Sequence, residues 1–152
     1  MDDSDKVRRI LVRYRVIAVV GLSAQWHRPS YFAAKYLQEH GYRIIPVNPT
    51  YDTILGEKCH KRLSDVPDKV DVVDCFRKSS EIPAIAQEAI AIGAKVLWMQ
   101  LGVENAQARE LAEAAGLEVI ENRCMKIEHG RFFGGLGWAG VNTKVISARR
   151  AP

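Results

Sequence analysis

The sequence lacks the features that mark several specialised protein classes. Its 152 residues include only three cysteines, Cys59, Cys75 and Cys124. An odd number without C-x-x-C spacing argues against a disulfide framework or a structural zinc site. No apolar run approaches the roughly 18 residues that span a bilayer, and the polar start of the chain does not resemble a signal peptide. We therefore expect a cytoplasmic protein with reduced thiols, no metal and no membrane association.

The sequence also has only a small excess of positive over negative charge. Lysine and arginine number 22 against 18 acidic residues, which gives a net charge of +4. Nucleic-acid-binding domains commonly carry a larger excess gathered on one face, whereas the sharpest basic cluster here is Arg149 and Arg150 in the tail. The composition predicts no nucleic-acid partner and is compatible with a small anionic ligand.

Helical patterns alternate with short apolar runs along the chain, which is typical of a parallel α/β sheet. The run from Val16 to Val20 is mostly β-branched and ends at Gly21, as a buried central strand does. Pro29 begins a helical pattern that closes at Gly41. The fold class is therefore predicted as α/β, a single Rossmann-like domain with an about five-stranded parallel sheet and helices on both faces. The predicted strands are 16–20, 42–47, 70–76, 95–99 and 117–120, and the predicted helices are 5–14, 29–39, 80–92, 104–115 and 124–129.

Length indicates one domain, because 152 residues is the usual size of a single folding unit. We divide the chain into an N-terminal helix (1–15), the main domain (16–131) and a C-terminal tail (132–152). Between residues 48 and 68, turn signals such as Leu55-Gly56 predict a loop with one short helix near Leu63. The glycine-rich tail either frays or packs on a partner subunit, so a homodimer is one expectation.

The loop from Gly21 to Ser30 carries the clearest ligand chemistry. It leaves a predicted central strand and enters a helix, whose N-terminus offers free N–H groups and a positive dipole end to a phosphate. Ser23 and Ser30 add hydroxyl donors, and Arg28 adds a planar cationic fork that suits phosphate oxygens. A lone glycine after a strand is equally compatible with a plain connection, so the case for a phosphate site depends on Arg28 and the two serines.

A dinucleotide fingerprint of the NAD type is missing. The pattern G-x-G-x-x-G requires three glycines, and only Gly21 is present in this stretch. An acidic residue is also expected after the second strand, where the sequence has Val47-Asn48-Pro49. The sequence therefore disfavours NAD as the ligand.

Several residues in and after the third strand have two interpretations each. Asp71 and Asp74 stand three apart in a strand, so their side chains point to opposite faces. Strand-end charges or a cap are therefore favoured over an acid–base pair. Arg77 and Lys78 either neutralise a ligand phosphate or are solvated loop charges. Cys75 is interpreted as a buried, inert thiol.

Four stretches, taken in order, resemble the small CoA-binding proteins of the YccU-like group. They are Val19-Val20-Gly21 with Arg28-Pro29-Ser30, residues 45–49 (IPVNP), residues 72–77 (VVDCFR), and residues 97–100 (LWMQ) with Gly102-Val103. The chain is also similar to the nucleotide-binding domain at the start of the succinyl-CoA synthetase α subunit. The resemblance runs from residue 16 to residue 131, nearly the whole chain.

The resemblance implies coenzyme A or an acyl-CoA as the ligand, and it implies a role for each of the matching positions. By this resemblance, the phosphates would be held by Gly21, Leu22, Ser23 and Ala24, with help from Arg28 and Ser30. The adenosine side would be bordered by Asn48 and Pro49, and the nucleotide would lie against Phe76 and Arg77. The pantetheine route would be lined by Gln100 and Gly102.

Ligase chemistry is not implied by the same resemblance. The synthetase α subunit has a second domain with a phosphorylated histidine, for which these 152 residues have no room. We therefore expect a CoA-binding carrier, sensor or accessory protein with no catalytic residue of its own. A nicotinamide-dependent oxidoreductase, an acyl-CoA enzyme that needs a partner, and a structural subunit with a vestigial pocket are the alternatives.

Overall fold

Strands and helices alternate in the computed structural model, which describes residues 3–134. The strands are β1 (Val16–Val20), β2 (Arg43–Val47), β3 (Thr53–Ile54), β4 (Glu57–Lys58), β5 (Val72–Cys75), β6 (Val96–Met99) and β7 (Glu118–Ile120). The helices are α1 (Ser4–Arg13), α2 (Pro29–Glu39), α3 (Ile82–Ala91), α4 (Ala106–Ala114) and α5 (Met125–Phe133). Short 3₁₀ helices cover Leu63–Asp65 and Ser79–Glu81.

Five strands form one parallel sheet in the order β2-β1-β5-β6-β7, which confirms the predicted α/β fold. From β1 the chain passes through α2 to β2 on one side, whereas from β5 it passes through α3 to β6 on the other. The strand order therefore reverses between β1 and β5. In open parallel sheets, ligands bind beyond the carboxyl ends of the strands at this switch point.

Helices cover both faces of the sheet, as predicted. On one face, α3 and α4 pack together, and the buried side chains Val73 and Cys75 of β5 belong to that core. On the other face, α1, α2 and α5 pack against a second core that includes Val72 and Trp98. Because side chains alternate along a strand, Asp74 of β5 points to this second face.

A short β-hairpin lies where the sequence predicted only a loop. Strands β3 and β4 pair antiparallel across Leu55 and Gly56, which have φ values of +55° and +77°. Two residues with positive φ are what a tight two-residue hairpin turn requires. The turn was predicted, but its strands are two residues each and too short to give an alternating pattern.

Pro46 lies within β2 without interrupting it. Strand β2 is at the edge of the sheet, and the Pro46 carbonyl accepts a hydrogen bond from the His60 N–H on the outer side at 3.0 Å. The N and O of a strand residue face the same side, so the N–H that proline lacks would have pointed away from β1. An edge strand tolerates proline for this reason.

The two ends of the described chain lie on the same face of the sheet, where α1 and α5 are in contact. Val7, Ile10 and Leu11 of α1 are buried in that core. Helix α5 extends to Phe133, beyond the predicted end at residue 129 and into the predicted tail (132–152), of which residues 135–152 lie outside the described residues. Within residues 3–134, no helix is both long and apolar enough to cross a membrane.

Candidate functional site

The loops that follow β1 and β5 meet at the switch point of the sheet. The Gly21 N–H donates to the Val47 carbonyl at 2.8 Å, and the Phe76 N–H donates to the Val20 carbonyl at the same distance. Gly21 has a φ of +90°, a conformation that favours glycine. These bonds extend the sheet by one residue before the loops diverge, and the divergence opens a crevice.

Internal hydrogen bonds hold the loop between β1 and α2. The Ser23 N–H donates to the Ser30 Oγ at 3.0 Å, and the Gln25 N–H donates to the Ser23 Oγ at 3.0 Å. The Arg28 Nε donates to the Gln25 Oε1 at 3.3 Å. A hydroxyl oxygen that accepts a bond keeps its own proton for donation. Both serines can therefore still donate to a ligand.

Asn48 ties the loop after β2 to the loop after β1. Its Nδ2 donates to the Leu22 carbonyl at 3.0 Å, and its Oδ1 accepts from the Thr50 N–H at 2.9 Å. Both ends of the amide are thus engaged within the protein. Asn48 therefore links two of the loops that form the walls of the crevice.

The crevice contains a main cavity of about 430 Å³, within the roughly 300–1,000 Å³ of small-molecule and cofactor sites. It is lined by residues of three of the converging loops: Gly21, Ser23, Gln25, Arg28, Pro29, Ser30, Asn48, Thr50, Tyr51, Phe76 and Arg77. Among the described residues this lining includes two arginines and no carboxylate, and the N-terminus of α2 opens onto it at Pro29 and Ser30. The arrangement favours an anion, because the helix dipole and both arginines act in the same direction.

Two further cavities adjoin the main one. A side cavity of about 160 Å³ lies toward β2 and α3 and includes Pro49, Lys61 and Arg62 in its lining. A far cavity of about 350 Å³ lies toward the end of β6 and includes Gln100 and Val103. Arg77 lines all three cavities. The side chain of Arg77 therefore stands at the junction of the three spaces.

A buried carboxyl lies below this crevice. Asp74 is fully buried in β5 between Val19 of β1 and Trp98 of β6, and neither of its oxygens has a hydrogen-bond partner among the described residues. Burial raises the pKa of Asp74 to about 8, because the charged form is poorly solvated there. The strand-end interpretation is wrong for Asp74. It is confirmed for Asp71, whose Oδ2 accepts the Val16 N–H at 3.1 Å.

The family profile described as a CoA binding domain matches residues 15–130. This chain belongs to that CoA-binding domain family. It is 40% identical over 124 residues to the uncharacterized protein YneT of Bacillus subtilis, an alignment that covers 82% of this chain and 92% of YneT. The predicted relationship to small CoA-binding proteins is thereby confirmed.

Two other relatives of this CoA-binding-family chain extend the comparison. The structure of a hypothetical protein from Pyrococcus horikoshii aligns with a TM-score of 0.84 at 44% identity, covering 86% of this chain and 92% of that one. An ADP-forming acetate–CoA ligase of Methanocaldococcus jannaschii is 28% identical over 120 residues, which cover 73% of this chain and 17% of the ligase. The chain thus spans about a sixth of the length of that ligase.

Most residues that the family resemblance predicted for CoA contact lie at the crevice. Those lining the main cavity are Gly21, Ser23, Arg28, Ser30, Asn48, Phe76 and Arg77. Pro49 lines the side cavity and Gln100 the far cavity. Leu22 is fully buried behind the loop, and Ala24 and Gly102 line none of the three cavities. Roles in CoA contact remain predictions for all of these residues.

Sequence reasoning did not single out Gln25, Thr50 and Tyr51, which also line the main cavity. All three lie in the loops that follow β1 and β2. Their common signal is position, because each follows the carboxyl end of a strand within a few residues. Residue type alone gave no reason to choose them.

Proposed function

We propose that this protein binds coenzyme A or an acyl-CoA, with the nucleotide phosphates in the main cavity. The observation that carries the proposal is the meeting of Arg28, Arg77 and the N-terminus of α2 in a cavity whose described lining holds no carboxylate, in a chain of the CoA-binding domain family. A pyrophosphate fits this environment because several independent positive groups face one small volume.

The arrangement of the cavities supports a ligand longer than a mononucleotide. The main and far cavities are neighbours that share Phe76 and Arg77 in their linings. The far cavity is bordered by Gln100, Leu101 and Val103, a mixed polar and apolar wall that suits an amide-containing chain. We assign the nucleotide to the main cavity and the pantetheine arm to the far cavity.

The chemistry of the main cavity supports binding without catalysis. Its described lining contains no histidine, aspartate, glutamate or lysine that could act as the base that a serine nucleophile needs. In the far cavity, to which the pantetheine arm is assigned, the one carboxylate of the described lining is Glu81, which Arg77 already holds. Cys75 lies nearby but is buried on the opposite face, and burial holds the pKa of its thiol well above the usual range. We therefore propose a carrier, sensor or accessory protein of an acyl-CoA enzyme.

Isothermal titration calorimetry with CoA, 3′-dephospho-CoA and NAD tests this function. We expect saturable binding of CoA and an upward shift of the melting midpoint, since a ligand selective for the native state stabilises it by mass action. NAD should bind more weakly. Binding of NAD in preference to CoA, or no response to CoA, would refute the proposal.

The absence of catalysis needs a separate measurement. Purified protein at high concentration is incubated with acetyl-CoA, and the release of free thiol is followed over hours. We expect the rate of the buffer alone. A rate of acetyl-CoA hydrolysis that is proportional to the protein concentration and is lost on denaturation would show that the protein is an enzyme.

A further inference from the structure

Arg77 crosses the floor of the crevice. A Cβ built on Gly21 would lie 2.8 Å from the Arg77 Cδ, so the aliphatic part of this side chain rests on the Gly21 backbone. Its guanidinium lies where the main, side and far cavities meet. Any ligand that occupies both the main and the far cavity must pass this guanidinium.

The Arg77 guanidinium is already occupied by an anion of the protein itself. Its Nε and Nη2 donate to the same Glu81 oxygen, Oε1, at 2.9 and 2.8 Å. The two side chains are 40% and 38% exposed, so the pair faces the solvent-filled crevice. Glu81 also lines the side and far cavities but not the main one.

The segment that carries Glu81 is anchored to its neighbours. The Ser79 Oγ accepts the Glu104 N–H at 3.2 Å, and the Ser79 carbonyl accepts the Asn105 Nδ2 at 2.9 Å. The 3₁₀ helix Ser79–Glu81 is thereby tied to the start of α4. Arg77 lies in the loop before it, so a change of partner requires only a rotation of the arginine side chain.

We propose that the Glu81 carboxylate occupies the place on Arg77 that a ligand phosphate takes, and that CoA binding moves Arg77 from Glu81 to the phosphate. This inference rests on the proposed function and adds an internal competitor to it. In the free protein Arg77, which lines both the main and the far cavity, is held by Glu81. In the bound protein Arg77 contacts phosphate, and the pantetheine arm runs past it into the far cavity.

The energetics permit such an exchange. Exposed ion pairs contribute little to stability because water screens both charges. A phosphate presents more charge and several oxygens, and arginine can engage it through two parallel hydrogen bonds. Glu81 should therefore lower the affinity for CoA by only about two- to fivefold.

Two other roles for Glu81 make different predictions. If Glu81 holds Arg77 in the orientation that the ligand needs, neutralising Glu81 weakens binding. If Glu81 only adds negative charge near an anionic ligand, neutralising it tightens binding whether or not Arg77 is present. A double-mutant cycle separates these roles from the exchange, since it isolates the part of the effect that passes through Arg77.

The test is calorimetric titration of CoA into the wild type, Glu81→Gln, Arg77→Met and the double variant at one fixed ionic strength. We expect Glu81→Gln to tighten binding about two- to fivefold and Arg77→Met to weaken it about tenfold. In the Arg77→Met background, Glu81→Gln should have no effect. Glu88→Gln is the matched control, because Glu88 also lines the side cavity but accepts its hydrogen bond from the Ser64 N–H.

The outcomes distinguish the two levels of the proposal. No binding of CoA by the folded wild type would overturn the proposed function itself. Binding by the wild type that is unchanged or weakened by Glu81→Gln would overturn the exchange alone. Equal tightening by Glu81→Gln with and without Arg77, or equal tightening by Glu88→Gln, would also overturn it.

Discussion

Gly21 lies against the backbone of Phe76 so closely that no side chain fits between them. A Cβ built on Gly21 would stand 2.3 Å from the Phe76 carbonyl oxygen. This contact joins the loops after β1 and β5 at the switch point. The shape of the crevice therefore depends on the absence of a single carbon atom.

Gly21→Ala should destabilise the protein by at least about 2 kcal/mol, because a positive φ and a backbone clash act together. The free energy of unfolding is measured by urea denaturation. Gly116→Ala is the control: Gly116 also has a positive φ of +92°, but an added Cβ would meet nothing within 4 Å. Equal losses in the two variants would show that the contact with Phe76 is unimportant.

Arg28→Ala should weaken CoA binding by about 1.5–3 kcal/mol, the range for hydrogen bonds to charged groups. Arg28 lines the main cavity at the N-terminus of α2, and Gln25 is its only hydrogen-bond partner through the side chain among the described residues. Calorimetry gives the affinity. The control is Arg13→Ala, at the end of α1 and outside the lining of the three cavities, which should leave the affinity for CoA unchanged. An unchanged affinity in Arg28→Ala would show that Arg28 does not contact the ligand.

The sequence predicted those parts of the fold that depend on local patterns. The β-branched run of β1 and the Pro29 start of α2 are local signals, and α2 begins and ends as predicted. The hairpin of β3 and β4 was missed because its strands of two residues each are too short to show an alternating pattern, although the turn at Leu55 and Gly56 was predicted.

The location of the candidate site was predictable from the sequence, but the hydrogen bonds and ion pairs within it were not. Parallel strands bring their carboxyl ends to one edge, so the loops after β1, β2 and β5 meet there by topology alone. The bond from Asn48 to Leu22 and the pair of Arg77 with Glu81 depend on side-chain orientations that no pattern encodes. The isolation of Asp74 depends on the neighbours that strand register gives it, and these are distant in sequence.

His129 should make the protein less stable in mild acid. Its ring is buried, and the Nδ1 lies 2.9 Å from the Tyr36 hydroxyl. Burial, reinforced by His40 and Arg15, lowers the pKa of His129 to about 4. Between pH 6.5 and 4 His129 binds a proton in the unfolded chain but not in the folded chain. The free energy of unfolding therefore falls by about 2–3 kcal/mol as the pH is lowered.

The variant His129→Gln tests this acid sensitivity, because glutamine can bond the Tyr36 hydroxyl and does not titrate. Urea denaturation at a series of pH values should show a smaller loss of stability below pH 6.5 than in the wild type. His27→Gln, at an exposed loop position, is the control and should keep the wild-type loss. If His129→Gln loses stability as steeply as the wild type, another group is responsible.

Asp74 should act in the opposite direction and over a wider range. Its pKa is raised to about 8 by burial, whereas an aspartate in the unfolded chain titrates near pH 4. As the pH rises from about 4 to about 8, the unfolded chain releases a proton that the folded chain retains, so stability declines by up to about 1.4 kcal/mol per pH unit.

Asp74→Asn has nearly the same shape and no charge, and it should remove this decline. The variant should therefore be more stable than the wild type at pH 8, and the difference should shrink toward pH 5 in urea denaturation. Asp71→Asn, in which a bonded carboxylate is replaced, should keep the decline. A difference between Asp74→Asn and the wild type that is constant from pH 5 to 8 would mean that the Asp74 carboxyl is already ionised in the folded protein.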